Sequence, residues 1–87
     1  MIIVVKHRIA NPEKFWASAQ ESLPKLPENG VSRVLQVLPN ANATEATCLW
    51  EAESIASLDA YLRAKVYDWS AEEYQEVNTA QSMGLSL

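Results

Sequence analysis

The chain's only histidine, His7, follows an apolar run in the opening segment MIIVVKHRIANPEKFW and has a cationic residue on either side. Imidazole is the side chain that changes charge nearest to neutral pH, and carboxylates and phenols are suitable partners for it in proton transfer. Three candidate partners are Glu51, Tyr74 and Glu76. Whether these four side chains can form a site depends on the elements that carry them.

The first half of the chain is typical of a strand, a helix and a second strand. Residues 2–9 are rich in β-branched side chains and too few for a helix, which predicts a strand. Asn-Pro-Glu at 11–13 predicts a helix start, because Asn accepts from the free amides of the first turn and Pro fits the first helical position. Prolines within 24–27 end this helix. After a turn at 28–30, the apolar segment 31–38 predicts the second strand.

The second half begins with a strand that has two different faces. Residues 47–53 alternate in polarity. Small side chains and the apolar Trp50 therefore share one face, while Glu51 lies on the other. Ser54 can cap a second helix, because an apolar stripe follows it at helical spacing. This helix is expected to end near 67–69.

The tail fits two structures. Residues 70–73 match a capping box, which predicts a third helix. Residues 74–77 alternate instead, as in a strand. Local rules favour the helix, whereas a strand at 73–78 completes the order β-α-β-β-α-β of the ferredoxin-like unit.

With that last strand, residues 1–87 are expected to form one α+β domain. Its antiparallel four-stranded sheet has both helices on one face and the first and third strands in the centre. We expect the other, bare face to carry Ile3, Val5 and Leu49. A large exposed apolar patch indicates a partner, and two copies packing sheet to sheet would bury it, so we predict a homodimer.

Four segments, VVKHRI, NPEKFW, CLWEAES and EEYQEV, are similar to members of the dimeric α/β-barrel superfamily within the ferredoxin-like folds. This resemblance covers nearly the whole chain, implies a dimeric α/β barrel and favours the strand at 73–78 over the helix. The superfamily includes cofactor-independent monooxygenases, muconolactone isomerases, haem enzymes and metal-binding proteins without a known reaction. The fold therefore implies no particular chemistry.

The expected topology brings the candidate side chains to one cleft. We take the first and third strands to run parallel, so that His7 near the end of the first strand lies beside Glu51 near the end of the third. Tyr74 and Glu76 lie on the fourth strand, next to the first. A catalytic set of His7, Glu51 and Tyr74 follows. In this set His7 would move protons, a carboxylate would fix its tautomer and Tyr74 would hold a substrate oxygen. A metal site of His7, Glu51 and Glu76 is one alternative. A histidine that is only hydrogen-bonded at a strand end is another.

Composition limits the partners and the compartment. The net charge is −4 and no stripe of Lys and Arg occurs, which disfavours nucleic acids and anionic membrane surfaces. One cysteine, Cys48, excludes an intrachain disulfide and fits a reducing compartment. The apolar run before Lys6 is too short for a signal peptide, and no segment has the ~20 apolar residues of a membrane-spanning helix. We expect a soluble cytoplasmic protein.

These observations predict a homodimeric barrel protein that binds a small molecule, or alternatively a metal ion, in a cleft between its sheet and its partner. A cofactor-independent enzyme of the monooxygenase or isomerase type is the second hypothesis. A structural or regulatory dimer with a filled cleft is the third. With only two glycines the chain has no Gly-rich phosphate loop, so no cofactor is predicted. Whether the protein is an enzyme stays open.

Overall fold

A computed structural model describes residues 1–85, which form four strands and two helices. The elements are β1 (Ile2–Ile9), α1 (Pro12–Ser22), β2 (Val31–Pro39), β3 (Glu45–Ala52), α2 (Ile55–Val66) and β4 (Ser70–Glu76), and a 3-10 turn, Leu23–Lys25, follows α1. The strands form one antiparallel sheet in the order β2-β3-β1-β4. The predicted ferredoxin-like α+β architecture is therefore confirmed. Within residues 1–85, no helix is long and apolar enough to cross a membrane.

Both helices begin at the predicted capping residues. Asn11 Oδ1 accepts a hydrogen bond from the Lys14 amide at 3.1 Å, and Ser54 Oγ accepts one from the Ser57 amide at 3.0 Å. Each cap satisfies an amide that the first helical turn leaves free. α2 ends where Tyr67 adopts a left-handed conformation with a φ of 51°. This turn directs the chain into β4.

The tail is a strand, and the capping-box alternative at 70–73 is wrong. β4 pairs with β1 from Ile9 opposite Ser70 to Ile3 opposite Glu76. The ladder satisfies backbone groups of both strands, so long-range pairing outweighs the local preference for a helix. The strand begins at Ser70, a few residues before its predicted start.

β1 and β3 run antiparallel, so the expected parallel arrangement is wrong. Val5 lies opposite Cys48, and His7 lies opposite Ala46. The reason is topological, because the hairpin β2-β3 reverses the chain while the crossover through α1 leaves β2 parallel to β1 with β3 between them. Residues opposite each other share a face, so His7 shares the helix-covered face with Cys48.

The core lies between that face and the two helices. Its buried members are Ile3, Val5, Ile9, Phe15, Val31, Ala46, Cys48, Trp50, Ala52, Leu58, Tyr61, Leu62 and Val66. Ile3 and Val5 are fully buried, which corrects the expectation that they lie on the bare face. Burying a side chain of this size stabilises the fold by about 1.5–3 kcal/mol. These positions of β1 therefore hold the sheet to the helices.

Among residues 1–85, no helix covers the other face of the sheet. Val4 and Leu49 are cross-strand partners on this face and are half-buried, while Leu38 on β2 is 56% exposed. Charged side chains of both signs lie on the same face: Lys6, Arg8, Arg33, Glu45, Glu51 and Glu73. Of the three apolar residues expected here, Leu49 is in place.

Candidate functional site

His7 is buried on the helix-covered side of the sheet. Its side chain is 1% exposed, and its ring packs edge-on against that of Phe15 with centroids 5.3 Å apart. The strand alternation that buries Ile3 and Val5 buries His7 as well. Nδ1 of the imidazole is hydrogen-bonded, whereas Nε2 has no hydrogen-bond partner among residues 1–85.

Glu72 on β4 is the partner of His7. The two residues lie directly opposite each other, and Nδ1 of His7 is 2.9 Å from Oε2 of Glu72. The Glu72 side chain is also 1% exposed. Ser70 donates its hydroxyl to the same carboxylate oxygen, and the guanidinium of Arg63 on α2 pairs with the other. Such partners are needed because a buried charge without compensation is costly.

The imidazole of His7 is neutral at physiological pH. Burial lowers the pKa of His7 from 6.5 to about 4, and the positive charge of Arg63 acts in the same direction. A neutral imidazole has one N–H, and the hydrogen bond to the Glu72 carboxylate requires that hydrogen to be on Nδ1. Nε2 therefore keeps its lone pair, so His7 can accept a proton or a hydrogen bond at that atom.

A cavity of about 30 Å³ lies between the helices and the sheet, and His7 is one of the residues that line it. Its walls are mainly apolar and include Phe15, Trp16, Leu23, Val37, Leu62 and Val66. A water needs about 10–15 Å³ of such space, so the cavity holds about two waters. A larger molecule enters only if the walls move.

Two further buried polar atoms belong to residues that line this cavity. Trp50 Nε1 and Tyr61 OH have no hydrogen-bond partner in the described part of the chain, and the two rings pack edge-on 5.9 Å apart. With Nε2 of His7 they provide a donor, a hydroxyl that can donate or accept, and an acceptor. A buried polar group without a partner costs about 1–3 kcal/mol. All three atoms belong to residues around this cavity, but its lining surface is almost wholly apolar, so a ligand reaches them only when the surrounding side chains move.

Tyr74 lies on the same face of the sheet as His7 but outside the cavity lining. Its phenol donates to Asp59 Oδ1 at 2.8 Å. Burial and the neighbouring Asp59 carboxylate raise the pKa of Tyr74 above its usual value of 10. Arg63 links Asp59 and Glu72, because it lies 3.9 Å from Asp59 and also pairs with Glu72.

Glu51 lies on the other side of the sheet from His7. It is opposite Ile2 and forms an ion pair with Arg33 at 3.0 Å. Because β3 runs antiparallel to β1, its last residues lie beside the start of β1 and far from His7. The expected convergence of Glu51 with His7 and Tyr74 is therefore wrong.

Glu76 shares a face with His7 but lies at the far end of β4, where it is exposed opposite Ile3. Among residues 1–85, no group of three or more His, Cys, Asp or Glu side chains is placed to hold a metal ion. The expected metal-ligand set of His7, Glu51 and Glu76 is thus not brought together.

The residues that do meet His7 were only partly visible in the sequence. Glu72 falls two positions before Tyr74 and therefore on the same face of a strand. Tyr61 continues the apolar stripe of α2, so helical spacing turns it toward the sheet. Arg63 had no such signal, because its contact with Glu72 depends on how α2 crosses β4.

No protein-family model and no curated protein matches this chain. Solved structures do resemble it. A "putative antibiotic biosynthesis monooxygenase" from Deinococcus radiodurans has a TM-score of 0.54 at 11% identity, with 95% of this chain and 98% of that chain covered. A protein of the same description from Nitrosomonas europaea has a TM-score of 0.47 at 15% identity, with 90% and 99% covered.

The fold defines the class of protein: an α+β chain with the ferredoxin-like β-α-β-β-α-β unit. The resemblance expected from the sequence is confirmed at this level. At these identities the likeness is one of fold, so the chemistry must follow from the cavity and from the pairing of His7 with Glu72.

Proposed function

We propose that this protein binds a small, mainly apolar molecule between its helices and its sheet, where the walls of the cavity move apart to admit it, and that His7 accepts a proton or a hydrogen bond from it. The observation that carries this proposal is the buried pair of His7 and Glu72, in which Nε2 has no partner among residues 1–85. The proposed site differs from the cleft between sheet and partner that the sequence predicts.

With a pKa of about 4, His7 is suited to accept a hydrogen bond at Nε2 and to hold a proton there only while positive charge develops. When Nε2 takes a proton, the imidazolium forms 2.9 Å from the Glu72 carboxylate, which stabilises the new positive charge. Trp50 Nε1 and Tyr61 OH can donate to an oxygen atom of the ligand. A phenol or an enol supplies both the proton and the oxygen, so weak acids of this kind are the best match.

An enzyme of the monooxygenase or isomerase type is the second candidate function. Cofactor-independent oxidation and isomerisation can both begin with removal of a proton from the substrate, which is the step that His7 is placed to perform. The description of the Deinococcus protein as a monooxygenase is compatible with this alternative, although that likeness is one of fold. Formation of a product distinguishes an enzyme from a binding protein.

The proposal includes a homodimer in the cytoplasm, formed through the uncovered face of the sheet. The apolar residues Val4, Leu38 and Leu49 lie on this face and have no cover within the described chain. The charges around them have both signs, so two copies related by a two-fold axis can place opposite charges together. Burial of the apolar strip would drive the association.

Phenol and benzene are matched probes for the cavity, because they share a ring and only phenol offers an O–H. His7 is the only histidine, so its Nε2 signal in a nitrogen-15 NMR spectrum is unambiguous. We expect phenol to shift that signal, and benzene to perturb only the methyl signals of Leu62 and Val66. If phenol leaves all of these signals unchanged, the cavity holds only water and the proposal is wrong.

Two glutamate variants provide the control for the phenol experiment. Glu72→Gln removes the charge that stabilises protonated His7, so the response of Nε2 to phenol should become smaller. Glu73→Gln makes the same chemical change at the next residue, whose side chain is 72% exposed and lies 3.9 Å from Arg8. We expect this variant to respond like the unchanged protein.

A further inference from the structure

Lys65 brings a positive charge to the cavity that contains His7. It lies in the last turn of α2 and is one of the lining residues. Its ammonium is 5.6 Å from the centre of the Tyr61 ring, whose hydroxyl is buried without a partner in residues 1–85. The carbon chain of Lys65 therefore follows the cavity wall while its charge stays near solvent.

Half-buried side chains mark the place where the cavity meets solvent. Most of the lining is buried, but five lining residues are only partly covered: Trp16, Ala19, Leu23, Val37 and Lys65. The mouth of the cavity therefore lies between α1 with its 3-10 turn, β2 and the end of α2. Lys65 is the charged residue of this set.

Glu28 holds the ammonium of Lys65 at this mouth. Its two carboxylate oxygens are 3.1 and 3.3 Å from Nζ, and the side chains of Lys65 and Glu28 are 29% and 35% exposed. Two backbone hydrogen bonds with Val31, of 3.0 and 2.9 Å, fix the loop that carries Glu28. An incoming anion can replace the Glu28 carboxylate by a side-chain movement alone.

We propose that the ligand of this cavity carries a carboxylate, which takes the place of Glu28 on Lys65 while its apolar body lies along the walls toward His7. This inference rests on the proposed function and deepens it. The chain has a net charge of −4, so an anion is not attracted by the protein as a whole and needs a local cation. The ammonium has three donors, which suit a carboxylate at a partly desolvated site.

A hydroxybenzoate combines the three required features, namely a carboxylate, an apolar ring and a weakly acidic O–H. The probes are therefore 4-hydroxybenzoate and phenol, which differ only in the carboxylate. Dissociation constants are measured from the NMR shifts of His7 Nε2 and the cavity methyl groups. We expect Lys65→Met, which keeps an apolar side chain of similar length, to weaken binding of 4-hydroxybenzoate about tenfold, as for the loss of one hydrogen bond to a charged group.

Glu28→Gln should change the same affinity in the opposite direction. It removes the competing carboxylate from Lys65, so 4-hydroxybenzoate should bind several-fold more tightly. This gain in affinity should be smaller at high salt, because salt screens the attraction between the two charges. Both variants should change the affinity for phenol much less than the affinity for 4-hydroxybenzoate, because phenol has no carboxylate to pair with Lys65. Lys25→Met is the matched control, because Lys25 lies in the 3-10 turn, pairs with Glu21 at 3.6 Å and is outside the cavity lining.

The outcomes separate this inference from the proposed function. If phenol shifts Nε2 while 4-hydroxybenzoate binds Lys65→Met and Glu28→Gln as it binds the unchanged protein, the carboxylate inference is wrong and the proposed function stands. If neither compound perturbs the cavity in the unchanged protein, both are wrong. Thermal unfolding of each variant verifies that a lost response does not come from a lost fold.

Discussion

His7 and Glu72, which are 65 residues apart in the chain, face each other across β1 and β4 and share a hydrogen bond of 2.9 Å in the interior. Arg63 closes the group from the side of α2 by pairing with the same carboxylate. One strand from each end of the chain and one helix therefore hold the only imidazole of the protein. The ring is fixed in one tautomer as a result, with its lone pair on Nε2.

Acidification should destabilise the protein through His7. The pKa of His7 is about 4 in the folded protein against the usual 6.5, so between these values the unfolded chain binds more protons. The free energy of unfolding should fall as the pH is lowered through this range, by up to about 3 kcal/mol from this residue. His7→Gln should lack this contribution. Urea unfolding of both proteins at a series of pH values measures the difference, and parallel curves would contradict the assignment.

Adjacent glutamates on β4 should have very different effects on stability. Glu72→Gln leaves Arg63 without its buried partner and weakens the support of His7, so we expect a loss of about 1–3 kcal/mol in the free energy of unfolding. Glu73→Gln changes an exposed residue of the opposite face and should alter stability by less than about 0.5 kcal/mol. Denaturant unfolding at neutral pH compares the two. Equal losses would mean that the Glu72 contact does not support the fold.

Two tyrosine-to-phenylalanine changes should have different effects on the free energy of unfolding. Tyr61 OH is buried without a partner among residues 1–85, so Tyr61→Phe should leave stability unchanged or raise it by up to about 1 kcal/mol, while weakening ligand binding. Tyr74 OH donates to Asp59 at 2.8 Å. Tyr74→Phe should therefore cost about 0.5–1.5 kcal/mol. A Tyr61→Phe variant that is clearly destabilised would show that ordered water or another group already satisfies the hydroxyl.

If the uncovered face forms the homodimer, a new charge should dissociate the dimer only when it is placed on that face. Leu49→Asp on the uncovered face should dissociate the dimer without unfolding the chain, as light scattering and far-ultraviolet circular dichroism would detect. Ala56→Asp, at an exposed position of α2, is the control and should leave the dimer intact. A Leu49→Asp protein that stays dimeric with unchanged thermal stability would exclude this face as the interface.

Val5→Asp should behave differently from Leu49→Asp. Val5 is fully buried between the sheet and the helices, so a carboxylate there has neither water nor a partner. We expect the chain to unfold, whatever its oligomeric state. Circular dichroism checks this, and a folded monomer would place Val5 at an interface instead.

The residue pattern was sufficient for the order of the first five elements and for the faces of β3, whereas the last strand was predicted from the resemblance to a known superfamily. In β3 polar and apolar residues alternate, so Trp50 and Glu51 could be assigned to opposite sides, and the structure agrees. β1 could not be treated in this way, because residues 2–5 are apolar at every position. The face of His7 then depended on the pairing register of β1, which local sequence does not encode, and the incorrect direction of β3 placed Glu51 at the same end of the sheet as His7.

The pairing of His7 with Glu72 could not be predicted from local sequence. Glu72 is at the other end of the chain, inside a segment whose local pattern favours a helix start. Only the ladder between β1 and β4 turns that segment into a strand and places Glu72 opposite His7. Likewise, the ion pair with Arg63 depends on tertiary packing, which spacing along α2 does not encode.

Within residues 1–85, β4 has a neighbouring strand on one side only, since it lies at the end of the strand order. Terminal strands fray more readily than central ones, because only one ladder restrains them. When β4 separates from β1, the carboxylate leaves the imidazole and water reaches the ring, so the histidine reverts to an ordinary solvated base. The rate of backbone amide exchange in β4 therefore reports the fraction of time for which the site is disassembled.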